Sequence, residues 1–236
     1  MENLLASIKL NSSAMNVLPL EYRKHLSETD LTFITNCFTQ QSSETEGLLK
    51  LLTDPNAVDS ILDQSTLLEQ VLNTPDNLEL SPRLYFYLLT RHSLKASGLD
   101  SPELADYISG VLASYLKSGF RPHVNGNVLY LVDWLQQVDA SPIGKRFELY
   151  VMAGNHLLFL TGIFPHFIER RTQRHGAPDI GFYESIGQRS FRSAAQHPLS
   201  RRMQTEQLYH DVAMNFASVR TALNDLSERL ISLETA

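Results

Sequence analysis

From Phe147 to Gly162 the chain reads FELYVMAGNHLLFLTG, a run that is apolar on nearly every side of a helical wheel. A helix that is greasy all round has to be buried, so this segment sets the terms for the fold. It is not a membrane span. The longest apolar stretch, HLLFLTGIFPHF, falls far short of the ~20 residues a span requires, and Gly162 and Pro165 interrupt it. The rest of the chain must therefore supply the cover, and the segment is expected to be the central helix of the domain.

The cover is predicted to be helical as well. Three segments open with Ser-Pro, at Ser81-Pro82, Ser101-Pro102 and Ser141-Pro142. A serine at the cap accepts from helix N–H groups that lack partners, and a proline at the first helical position loses nothing by having no N–H. The first two segments stop at Gly98 and Gly119, as left-handed helix ends prefer. Ser43 with Glu46 forms a capping box, and Asp179 caps IGFYESIGQRSFRSAA. NVLYLVDWLQQVD is amphipathic at helical spacing. Pro165 ends or bends the central helix, and a further helix runs on to Gly176. Strand-like alternation and hairpin dipeptides between strand-like runs are absent. These signals predict one all-α, helical-bundle-like domain over residues 1–236, with about nine or ten helices. Residues 1–80 are expected to form short acidic helices, residues 81–202 the helical core, and residues 203–236 a heptad-patterned C-terminal helix.

That last helix carries Tyr209, Val212, Phe216, Val219, Leu223, Leu226, Leu230 and Leu233, in alternating steps of three and four. A 3.5-residue period is the seam of a coiled coil, which suits a dimer. The same spacing also serves a terminal helix lying at a shallow angle on its own domain.

Composition narrows function by exclusion. The 236 residues are 43% hydrophobic and 19% charged, as in an ordinary globular protein. Cys37 is the only cysteine, so no internal disulfide or cysteine-rich zinc site exists. It is read as a small helical residue, since a catalytic thiol needs a histidine placed beside it. The opening MENLLASIKLNSSAMNVLPLEYRKHL has no apolar run of signal-peptide length, so a cytoplasmic, membrane-free location is expected. The pairs His166/Glu169, Glu21/His25 and Glu206/His210 share helix faces, but they lack the Glu-x-x-His order of di-iron bundles, and no metal or other cofactor is expected. Phosphate-binding loops and hydrolase elbows are missing. No catalytic residue is assigned.

Charge is the remaining anomaly. Net charge is −6, yet residues 1–80 hold four basic and twelve acidic side chains. Residues 164–202 hold seven arginines, no lysine and three acids. The arginines are Arg170, Arg171 and Arg174, then Arg189 and Arg192, then Arg201 and Arg202. Arginine's planar fork suits carboxylate or phosphate, whereas lysine suffices for solubility. Three readings fit: a solvated or internally paired face, a docking surface for an acidic protein, and a contact for nucleic acid with Phe182, Tyr183 and Phe191 as stacking platforms. Asn155 and His156, polar within the buried run, are candidate pocket-lining residues and keep open an enzyme acting on a small anion. The leading expectation is a self-associating interaction or regulatory protein.

Overall fold

The computed structural model describes residues 22–38, 42–73, 79–118, 138 and 140–234. Side chains of residues 42–44, 55–56, 175 and 229–234 lie outside that description, as do the capping box at Ser43, the NVLYLVDWLQQVD helix apart from Val138, and Gly119. Among the described residues the protein is all-α. A 3-10 turn, Tyr22–Lys24, precedes α1 (Glu28–Phe38), α2 (Ser42–Leu52), α3 (Pro55–Leu62), α4 (Ser65–Asn73), α5 (Pro82–Ala96) and α6 (Pro102–Ser118). Then follow α7 (Ile143–Ile163), α8 (Pro165–His175), α9 (Ile180–Gln196), α10 (Pro198–Arg202), α11 (Glu206–Met214) and α12 (Phe216–Glu234). Among the described residues twelve helices stand where nine or ten were expected; the short α10 is a separate element and the C-terminal helix is two.

Local chemistry explains most boundaries. Ser81 Oγ accepts from Leu84 N at 3.1 Å and Ser101 Oγ from Leu104 N at 3.1 Å, both ahead of a proline. Asp179 Oδ1 accepts from Phe182 N at 2.9 Å. Gly176 ends α8 in the left-handed region at φ 61°, which costs glycine nothing. The third Ser-Pro pair behaves differently. Pro142 itself occupies the cap of α7, and no side chain caps that end. Ser141 instead offers its carbonyl to Arg146 Nε at 2.8 Å.

The chain's contacts form two compact units, Pro19–Ala113 and Ser114–Ala236, where the sequence is read as one domain. The cut falls inside α6, so no linker composition marks it. In the first unit α1 packs on α2 and α4, α4 on α5, and α3 on α2 and the 3-10 turn. Ile34, Leu62, Leu67, Leu84, Leu88 and Leu94 are fully enclosed there.

The second unit is built on α7, as the sequence requires. Leu149, Leu157, Leu158, Leu160 and Phe147 are buried, and α9 and α12 lie along it. Glycines set how closely they approach. A Cβ on Gly154 would sit 2.8 Å from the Phe191 ring of α9, and one on Gly162 would sit 2.8 Å from Leu223 of α12. One on Gly187 would run into the Phe216 ring. At the end of α7 the axis turns by 87° into α8. Pro165 has no N–H for the Thr161 carbonyl. Asn224 Nδ2 of α12 supplies the donor, at 2.9 Å to Thr161 O and 2.6 Å to Gly162 O.

The C-terminal row departs from the expected single helix. It breaks at Asn215, so α11 packs on α9 while α12 packs mainly on α7. Tyr209, Val212, Phe216, Val219, Leu223 and Leu226 are all at most 3% exposed. They face the chain's own helices. The side chains of Leu230 and Leu233 lie outside the described residues.

Candidate functional site

The Arg-rich segment occupies α8, α9 and α10. The dipole of α8 favours cations at its C-terminal end, where Arg170, Arg171 and Arg174 sit. Arg170 and Arg174 are exposed, and Arg171 is half-buried with its guanidinium over the Phe167 ring at 5.8 Å. Arg189 and Arg192 are exposed on α9, and Arg201 and Arg202 on α10. Arg201 pairs with Glu206 at 3.1 Å, both exposed, a contact worth little in water. Among the described residues the other six have no carboxylate within ion-pair distance.

The segment's own acids are committed elsewhere. Glu169 Oε2 lies 3.1 Å from His166 Nδ1, Asp179 caps α9, and Glu184 takes Arg220 Nε at 2.9 Å. In the first unit, carboxylates are met by arginines of that unit, among them Asp59 and Asp63 of the first eighty positions. Arg23 grips Asp59 and reaches Glu103 at 3.0 Å. Arg91 meets Asp63 through Nε and Nη2, each at 2.7 Å, and Asp100 at 2.5 Å. Arg83 binds Asp106 at 2.7 Å, and its guanidinium lies over Gly110 in space that a Cβ would fill. Asp30 accepts from Tyr22 Oη at 2.5 Å and Ser81 N at 2.8 Å.

Electrostatics follow this geometry. Burial alone would raise Asp63, but hydrogen bonds from Arg91 and Lys95 outweigh it and hold its pKa low. Asp30 is likewise held low against burial by Ser27, Tyr22 and Ser81. In Asp106 burial wins over Arg83 and Arg23, and its pKa is raised. Tyr87, fully buried between these pairs, has its phenol raised by burial, and its Oη has no hydrogen-bond partner among the described residues.

Asn155 and His156 lie in the middle of α7. Asn155 is buried, and His156 Nδ1 is 3.3 Å from Tyr115 Oη. Tyr115 in turn stacks on Phe159 at 4.1 Å. His156 keeps part of its surface, yet its ring is deep enough for burial to press its pKa down to about 4. The structure does not join these residues to Arg189 and Arg192. The inner face of α9 packs on α7, and those two arginines are on its opposite side. A shared anion pocket therefore loses two of its proposed members.

Of the three interleaved aromatics, Tyr183 and Phe191 are core, and only Phe182, 45% exposed, reaches the surface. Residue type alone did not separate them. Helical phase does, because Tyr183 and Phe191 fall on the arc that faces α7 and α11. Among the described residues no group of three or more His, Cys, Asp or Glu side chains is placed to hold a metal ion. No single described helix is long and apolar enough to cross a membrane, and one bent pair, α7 with α8, meets the length and composition of a span only jointly. No protein-family model, curated protein or solved structure matches this chain.

Proposed function

We propose that this chain is an interaction protein of regulatory type whose C-terminal unit holds an extended acidic protein partner through unpaired guanidinium groups. One observation carries this reading. Six of the seven arginines in 164–202 have no carboxylate partner among the described residues, while all three acids of the segment are engaged by other groups. Seven arginines against three acids leave the segment with a net charge of +4. Its extent argues for a long ligand. Arg170, Arg171 and Arg174 lie on the helix before α9, and Arg201 and Arg202 on the helix after it. α9 itself rises ~24 Å, beyond the Debye length of ~8–10 Å, so the arginines do not act as one point site for a compact anion. A protein is favoured over nucleic acid because, of the aromatics interleaved with the arginines, Phe182 is exposed while Tyr183 and Phe191 are buried.

Binding of the full chain to poly-glutamate and to a single-stranded oligonucleotide, each across a salt titration, tests it. Poly-glutamate should bind, weaken with salt, and lose most of its affinity when Arg170, Arg174, Arg189, Arg192 and Arg202 are changed to alanine. No binding, or binding indifferent to those changes, overturns the reading. Tighter, steeply salt-dependent oligonucleotide binding would replace it with the nucleic-acid one.

A further inference from the structure

The exposed residues of α9 specify the partner more closely, and this narrower assignment rests on the acidic-partner reading. Phe182, Ser185, Arg189, Arg192 and Gln196 are all exposed. Their steps are three, four, three and four. At 100° per residue they fall within an arc of about 80°. Tyr183, Gly187, Ser190, Phe191, Ala194 and Ala195, the buried set, centre on the opposite side of the helix. The five therefore form a straight stripe that faces away from the unit's own core and rises ~21 Å along the axis.

The stripe has an apolar end and a cationic middle. Phe182 is held edge-on against the buried Tyr183, with ring centroids 5.7 Å apart, and its backbone N–H is fixed by Asp179. It is presented rigidly. Ser185 has its hydroxyl bonded back to the Phe182 carbonyl at 2.9 Å, so it makes no polar demand on a neighbour. Arg189 and Arg192, one turn apart, have no carboxylate partner among the described residues and no acid on the stripe beside them.

We infer that this outer face of α9 docks one amphipathic acidic helix of a partner protein, with an apolar side chain on Phe182 and a pair of carboxylates on Arg189 and Arg192. The 3.5-residue period is the argument for a helix. A second helix crossing at a shallow angle repeats its own residues at that period, so matched positions stay in register along the stripe. An extended strand, repeating every two residues, would lose register within one turn of α9. Charge complementarity chooses the acids, because a guanidinium left beside a lysine or arginine partner would be repelled.

The experiment uses the full chain and three labelled peptides of identical composition. Two are helical, with a leucine and two glutamates at the stripe's spacing in opposite polarities, and the third is scrambled. At least one registered peptide should bind about tenfold tighter than the scrambled one, as expected where an aromatic and arginine anchor dominate. Phe182→Ala should erase that preference while leaving the scrambled peptide's affinity unchanged. The pair Arg189→Ala with Arg192→Ala should weaken all three. Unchanged far-UV circular dichroism checks that the variants fold, and Phe182→Leu should retain most of the preference. Equal binding of all three peptides overturns the helical partner but leaves the acidic-partner reading standing. Binding of none removes both.

Discussion

The first unit and the Arg-rich segment of the second use arginine in opposite ways. In the first, Arg23 and Arg91 are buried, Arg91 to 2% exposure, and carboxylates clamp Arg23, Arg83 and Arg91 alike. In the second, Arg174, Arg189, Arg192 and Arg202 stand in water without such partners among the described residues. A buried guanidinium is tolerated only where carboxylates meet it, and each side then depends on the other. An exposed guanidinium contributes almost nothing to stability and leaves its field available to another molecule. One residue type thus serves as scaffold in the first unit, and at Arg220 with Glu184 in the second, but as surface in the Arg-rich segment.

The largest effect is expected at Arg91, and its absence would undo this contrast. Arg91→Ala leaves the largely buried Asp63 with Lys95 alone and takes the cation from Asp100, so urea unfolding should report a loss of about 3–5 kcal/mol. A loss under ~1 kcal/mol would mean the clamp is not structural.

The second effect is in pH. The pKa of His156 is lower in the fold than in the unfolded chain, so the unfolded state binds more protons between about pH 6.5 and 4. Stability should fall as pH falls through that window, by at most about 3 kcal/mol, with half-buried His92 acting in the same direction. His156→Gln should flatten this phase when unfolding is compared at pH 7 and pH 5. Below about pH 4 a second loss belongs to the first unit, because Asp30, Asp63 and Glu103, held low in the fold, must protonate. Asp106, held high, runs the other way. Hydrogen exchange should show the first unit opening in that lower range.

Two smaller effects separate scaffold from surface more finely. Tyr87→Phe removes a buried hydroxyl that has no partner among the described residues, and thermal unfolding should show a gain of up to about 1 kcal/mol. Arg192→Ala should leave stability within about 0.5 kcal/mol in the same assay, however strongly it alters binding.

What the sequence disclosed was what short-range chemistry decides. Ser81, Ser101 and Asp179 act on N–H groups three residues away, and α7 declared its burial by having no polar face. Ser141 misled because a serine before proline is a cap only if the chain turns there, and Pro142 took that place. The break at Asn215 left no mark, since the apolar spacing continues across it undisturbed. The seven arginines were visible as a cluster, but their freedom was not. Freedom depends on where carboxylates go, and Arg23 finds Glu103 eighty positions away. The stripe on α9 was latent in the spacing of Phe182, Arg189 and Arg192, but only the burial of the opposite face shows which way it looks.

The hydrogen bonds from Asn224 to the end of α7 bear on the order in which the molecule assembles. A ribosome delivers Thr161 and Pro165 about sixty residues before it delivers Asn224. Until then the carbonyls at the bend lack the donor that Asn224 supplies. The bend at Pro165 can therefore be satisfied by this side chain only after α12 has been made.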